Sequence, residues 1–196
     1  RSPLSGINIY LHTLEKLHEQ GELEPMKEIL SKMTSTSSKI EAVIKRVMDF
    51  TKPSEPRRAL IDVRIPLEEA LGLSAVLLRK SGVEVEKRLS EDMPPCCADH
   101  QLIEQVILNL ITNAVQAMEK MERGKKMVIS CSHAGGLVTI AVADSGPGVP
   151  HSLRQKVFDP FFTTKSGSTG IGLSLSQRII QDHGGSLSVI TGSLGG

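Results

Sequence analysis

Aromatic side chains are scarce in this chain, making only 3% of its 196 residues. Any core is therefore aliphatic, and an apolar content of 39% is enough to build one. Net charge is nearly absent, because 23 Lys and Arg stand against 22 Asp and Glu. No stripe of basic residues with interleaved aromatics runs along the chain, so nucleic acid is not the expected partner. Long apolar runs are missing as well. Val106-Ile107-Leu108 and similar stretches break within a few residues, far short of the roughly 20 that span a bilayer. No signal-peptide pattern is visible. Cys96, Cys97 and Cys131 are odd in number and two are adjacent. This is neither a disulfide framework nor a C-x-x-C metal knuckle, and it reads as buried thiols in a reducing cytoplasm.

What is present falls into two patterns. Leu4, Ile7, Leu11 and Leu14 recur at spacings of three and four, with His18 in register, and after Gly21-Glu-Leu-Glu-Pro25 a second stripe runs Met33, Ser37, Ile40, Ile44, Val47. This is the seam of a helical bundle. A lone hairpin would leave one side of each stripe wet and forfeit about 1.5–3 kcal/mol per unburied Leu or Ile. Residues 1–52 thus predict a hairpin that pairs into a homodimeric four-helix bundle. Two prolines in Lys52-Pro53-Ser54-Glu55-Pro56 end the second helix, and residues 53–58 read as a linker and a hinge.

From residue 59 to 196 the pattern is α+β. Helices are expected from Pro66 to Leu78, from the cap Asp99 to Met118, and from about Gly170 to Asp182. Strands are expected over 83–89, 126–132, 137–143 and 186–190, with His133-Ala-Gly-Gly136 as a hairpin turn. Without a βαβ rhythm, this reads as a sheet covered by helices on one face.

Four short motifs in this segment carry chemistry. Asn109 and Asn113 lie four apart on one helix and point the same way. An amide oxygen can serve Mg²⁺, although such a pair alone is more readily read as two amides bonding neighbouring loops. Asp144 enters the turn Ser145-Gly146-Pro147-Gly148. Its carboxylate can accept from an exocyclic amine such as adenine's, and Gly146 and Gly148 let the backbone approach a flat base. Phe158, Phe161 and Phe162 cluster on one loop as a hydrophobic hinge for a lid, flanked by Lys156 and Lys165, which can meet phosphate oxygens. Thr169-Gly170-Ile171-Gly172-Leu173 opens a helix whose free N–H groups and dipole suit an anion. The G-K-[ST] ending of a Walker A loop is absent, and no βαβ unit supports a dinucleotide fingerprint. Each signal is weak alone; their fixed order suits the parts of Mg-ATP.

These motifs resemble the N box (Asn109 to Ala117), the F box (Phe158 to Phe162) and the two glycine boxes (Asp144 to Gly148, Gly170 to Leu173) of sensor histidine kinases, most of all the nitrogen-regulation type. His183-Gly184-Gly185 before a strand is also typical. The resemblance implies a Bergerat-type ATP-binding sandwich behind a dimeric hairpin. It also implies Mg²⁺ on Asn113, the adenine amine on Asp144, and phosphates under the Gly170 loop. Asn109, Asn113 and Lys156 become the catalytic candidates. ATP contacts are expected at Asn109, Asn113, Asp144, Gly146, Gly148, Phe158, Lys165, Thr169, Gly170, Ile171, Gly172 and Leu173. The implied partner is a response-regulator receiver domain, and the implied place is the cytoplasmic portion of a bacterial sensor, with any membrane anchor upstream.

Arg1-Ser2-Pro3-Leu4 is similar to the end of the family's His-Glu-x-Arg-Asn-Pro-Leu box. On that alignment the phosphoacceptor histidine and its acidic neighbour precede Arg1, and Ser2 stands where an asparagine linked to phosphatase activity is usual. Gly195-Gly196 falls where one more strand normally follows. His12 and His18 lack the motif and read as ordinary helix residues. Related ATPases of the gyrase and MutL type place a carboxylate base where this chain has Asn109, and an amide cannot take a proton from water. Anti-sigma-factor serine kinases lack the hairpin. A nucleotide-binding dimeric scaffold without transfer activity is the reading from a different class.

Overall fold

The computed structural model describes residues 3–51, 56–165, 168–192 and 194. The chain divides into two compact units, Arg1–Lys52 and Pro53–Gly196. The readings placed on Arg1, Ser2, residues 52–55 of the hinge and Gly195-Gly196 lie outside the described residues.

The first unit is a helical hairpin, α1 (Pro3–Gln20) and α2 (Leu23–Thr51). Gly21 ends α1 because only glycine takes φ 73° without strain. Its N–H bonds to His18 O and the next N–H to Leu17 O, at 3.1 and 3.0 Å, closing the helix end. Pro25 sits in the first turn of α2, where its missing N–H costs nothing. Ile7, Tyr10, Leu14 and Leu17 of α1 and Met26, Ile29, Met33 and Ile40 of α2 form the less exposed stripes. Three positions of the predicted seam differ. Leu11 is 47% exposed, His18 is exposed while Leu17 takes the inner position, and Ser37 is exposed while Thr36 does. A 3-4 spacing allows either neighbour, and only the packing of α1 on α2 chooses.

In the second unit, β2 (Glu84–Leu89), β4 (Lys126–Ala134) and β5 (Leu137–Asp144) form a sheet in the order β2-β4-β5. β2 runs parallel to β4, and β4 antiparallel to β5. The β4–β5 turn is Gly135-Gly136, both at positive φ (58° and 78°), the backbone that a tight two-residue hairpin requires. Helices α3 (Arg64–Ser81), α4 (His100–Ala117) and α5 (Gly172–Asp182) belong to the same unit. Met127, Ile129 and Cys131 alternate along β4 and join Leu67 of α3 and Ile107 and Ile111 of α4 in an aliphatic core. In the β4–β5 register, Cys131, Ile129 and Met127 face Ile140, Val142 and Asp144. The two-residue period thus brings Asp144 to the helix side of the sheet.

Asp99 caps α4 as predicted, its Oδ1 accepting from the N–H groups of Gln101 (3.1 Å) and Leu102 (3.2 Å). A second, small sheet pairs β1 (Ala59–Ile61) with β3 (Cys96–Ala98); three residues are too few to display an alternation. The strand predicted over 186–190 is a correction, since these residues join no ladder. Leu187 and Val189 are half-buried between exposed neighbours, so the alternation is real. Pairing depends on a partner edge that the pattern alone does not supply.

Candidate functional site

Asn109 and Asn113 occupy one side of α4. Asn109 donates from Nδ2 to Ser176 Oγ of α5 at 2.8 Å. The helices come this close because position 172 is glycine: a Cβ there would lie 2.3 Å from Asn109 Oδ1. Ser176 escaped the sequence reading, although it stands one turn beyond Gly172 on the same face. Asn113 Nδ2 is buried without a hydrogen-bond partner among the described residues. Such a group is costly unless something else meets it.

Asp144 ends β5 with Oδ1 accepting from Gly146 N–H at 2.8 Å. Gly146 lies against α4, since a Cβ would stand 2.6 Å from Asp144 Oδ1 and 3.1 Å from Ala117 Cβ. Ser145 Oγ accepts from Lys126 N–H and donates to Gly124 O, both at 2.9 Å, anchoring the turn. Gly148 takes φ 70°.

The lid is closed at its base. Phe161 N–H donates to Gly170 O at 3.0 Å, and both residues have positive φ, 68° and 67°. A Cβ on Gly170 would lie 2.5 Å from Phe161 C and 2.6 Å from Phe162 O. The expectation that all three phenylalanines cluster as a hydrophobic hinge is corrected here. Phe158 and Phe162 are half-buried, whereas Phe161 is 64% exposed. Its left-handed backbone turns the ring outward to make the bond to Gly170. Inside the lid, the Thr163 and Ser168 hydroxyls bond each other.

Lys165 does not project freely. Its Nζ donates to Asn113 O at 3.1 Å and approaches Gln116 Oε1 at 3.5 Å, laying the lid on the second half of α4. Burial pushes this ammonium below its ordinary range, opposed by the charges of Asp144 and Glu119. Lys156 is exposed on the short turn Lys156–Phe158, and no ion pair joins it to the other candidates among the described residues.

α5 begins without a side-chain cap: Ile171 precedes it and is buried, and Leu175 N–H to Ile171 O (2.9 Å) closes the first turn. The first N–H groups stay available to an anion. Thr169, Gly170, Gly172 and Leu173 are half-buried around this end. At the far end of α5, His183 Nε2 accepts from Asp99 N–H (2.9 Å) while Nδ1 donates to Ile179 O (2.7 Å). Asp99 Oδ2 also accepts from Arg57 N–H at 2.7 Å, and the Arg58 guanidinium reaches Asp182 O. His183 is thus a staple between α4 and α5, a role its His-Gly-Gly setting did not disclose.

The donor set fits a nucleotide with a divalent metal. The unpartnered Asn113 amide presents a polar atom to the side of α4 that Asn109 shares, and the carboxamide can turn either oxygen or nitrogen outward. The uncapped start of α5, held against Asn109 one turn earlier on α4, supplies N–H donors.

Residues 98–196 match the family described as histidine kinase-, DNA gyrase B- and HSP90-like ATPases. The C4-dicarboxylate transport sensor protein DctS of Rhodobacter capsulatus is 37% identical over 189 residues, covering 95% of this chain and 29% of that protein. The signal transduction histidine-protein kinase AtoS of Escherichia coli (strain K12) is 35% identical over 194 residues, covering 96% of this chain and 30% of that protein. The chain therefore spans about 30% of these relatives' length. Among solved structures, histidine kinase ThkA in complex with response regulator protein TrrA is similar across 100% of this chain and 55% of that one, with a TM-score of 0.80 at 25% identity. Full-length ShkA in complex with AMPPNP covers 88% of this chain and 37% of that one, with a TM-score of 0.74 at 25% identity. By these matches the chain belongs to the histidine kinase-, DNA gyrase B- and HSP90-like ATPase family, within its sensor histidine kinases.

Proposed function

We propose that residues 59–196 bind Mg-ATP and deliver its γ-phosphoryl to a histidine on the helical hairpin, from which it passes to an aspartate of a response regulator. The observation that carries this reading is the buried Asn113 Nδ2, without a partner among the described residues, one helical turn from Asn109, which meets the uncapped start of α5. Asn113 would hold Mg²⁺ through its amide oxygen. When bound, the ion would neutralise phosphate charge. Asn109, tethered to Ser176, keeps α5 aimed at the phosphates. The N–H groups at the start of α5 bind anionic oxygen. Asp144 accepts from the adenine amine through the oxygen that Gly146 leaves free. Lys165 holds the lid against α4 through Asn113 O, and release of that bond would let the lid close over nucleotide. Lys156 is given no role.

An amide at position 109 cannot deprotonate water, which favours transfer over hydrolysis. A homodimer is part of the proposal, because Ile9, Leu11, Leu23 and Leu30 are 54%, 47%, 70% and 51% exposed on the hairpin. The complex of histidine kinase ThkA with response regulator protein TrrA supports a response regulator as the final acceptor. The test incubates a chain extended through the histidine box with labelled ATP and Mg²⁺. Acid-labile phosphate on protein, lost on Asn113→Ala, is expected. Steady ATP hydrolysis with unlabelled protein would overturn it.

A further inference from the structure

His100 opens α4 and Glu104 follows one turn later, so both project from one side of the helix. Glu69 on α3 aims at the same point, with its Oε2 2.5 Å from His100 Nε2. One ligand atom from each of Glu69, His100 and Glu104 lies within 4.8 Å of the others. Around α4 this cluster stands about half a turn from Asn109 and Asn113, so it is separate from the nucleotide face. Among the described residues, no lysine or arginine pairs with Glu69 or Glu104. Lys87, the cation that reaches α3, bonds Glu68 instead.

We propose that Glu69, His100 and Glu104 bind a divalent transition-metal ion of the zinc class, tying α3 to α4. One imidazole nitrogen and two carboxylate oxygens are zinc's own ligand types, at about 2.0–2.2 Å from the ion. Two ligands on a tetrahedral ion then sit roughly 3.3–3.5 Å apart. The three atoms reach that spacing by shifts of about 1 Å, in side chains that are exposed or half-buried at Glu69, His100 and Glu104. Mg²⁺ and Ca²⁺ prefer oxygen alone, so the imidazole selects against them. Solvent access leaves the fourth position to water. In the metal's absence the Glu69 carboxylate and the His100 imidazole hydrogen-bond each other, which is the competing account of the cluster.

The test titrates Zn²⁺ into the chelator-treated, tag-free chain against a chromogenic competitor, and records the visible spectrum with Co²⁺. One ion per chain and intense tetrahedral Co²⁺ bands are expected. The melting temperature should rise by roughly 5–10 °C at a hundredfold excess over Kd. His100→Gln and Glu104→Gln should each weaken binding at least about tenfold, with circular dichroism and Mg-ATP affinity unchanged. If either variant misfolds, Glu69→Gln, on the exposed side of α3, replaces it. Absence of stoichiometric binding, or binding that survives all these substitutions on other surface histidines, would overturn the proposal.

Discussion

At Gly172 an added methyl would meet Asn109 Oδ1 at 2.3 Å, and at Gly170 it would meet backbone atoms of Phe161 and Phe162 at 2.5–2.7 Å. The two collisions differ in kind. Asn109 can swing away at the loss of its bond to Ser176, so Gly172→Ala should cost about 1 kcal/mol. Backbone cannot swing, and Gly170 also sits at φ 67°, so Gly170→Ala should cost up to about 3 kcal/mol. Urea unfolding of both variants checks the order, and an equal or reversed cost would refute the clasp between lid and α5. Asp144 offers a sharper test of binding. In Asp144→Asn the side-chain oxygen can still accept from Gly146 N–H, so the turn should survive. The new N–H₂ would then face the adenine amine, donor against donor, at about 1–3 kcal/mol. ATP affinity measured by calorimetry should fall roughly five- to over a hundredfold; equal affinity would remove Asp144 from adenine recognition.

At the scale of elements, β2 and β4 are joined by an ion cluster as well as a ladder. Hydrogen bonds from Lys126 and then Arg88 hold Glu86 down to about 2 from its ordinary 4.5, with contacts of 2.6 Å to each. A depressed carboxylate stabilises the fold fully above its unfolded value, and the contribution is lost as pH falls through the folded one. The acid limb of stability should therefore contain a component between pH 4.5 and about 2, and Glu86→Gln should remove it. A pH series of thermal melts in which wild type and variant run parallel across that window would contradict this. The start of α4 carries a larger dependence on one side chain. Asp99 accepts from Gln101, Leu102 and Arg57 N–H groups, so Asp99→Ala should lose about 1–2 kcal/mol, read by denaturant midpoint.

For the whole molecule, the exposed leucines of the hairpin bear on assembly. Leu23 and Leu30 stand a heptad apart on α2, exposed at 70% and 51%. If the hairpin pairs as proposed, Leu30→Glu should convert the dimer to monomer in sedimentation experiments, and an unchanged mass would count against that pairing. Much of this architecture was legible beforehand. The Asp99 cap, the Gly135-Gly136 turn and the amphipathic helices are local features, each written in a few adjacent residues. The nucleotide motifs were legible too, because amides four apart and glycines before a helix have consequences that need no distant partner. Less was legible where two elements must meet. Ser176 under Asn109, Lys165 on Asn113 O and His183 on Asp99 are pairs separated by tens of residues, and composition says nothing of which loops will touch. The strand expected over 186–190 failed for the same reason, since a ladder needs an edge as well as an alternating pattern. From its sequence alone this protein is an α+β nucleotide-binding unit behind a helical hairpin, because periodicity, capping and turn chemistry are local. Only the tertiary structure decided that Asn113 Nδ2 is buried without a partner among the described residues, that Phe161 turns outward to clasp Gly170, and that His100, Glu104 and Glu69 converge. Each of these depends on how elements pack, where atoms within a few ångströms in space lie far apart along the chain.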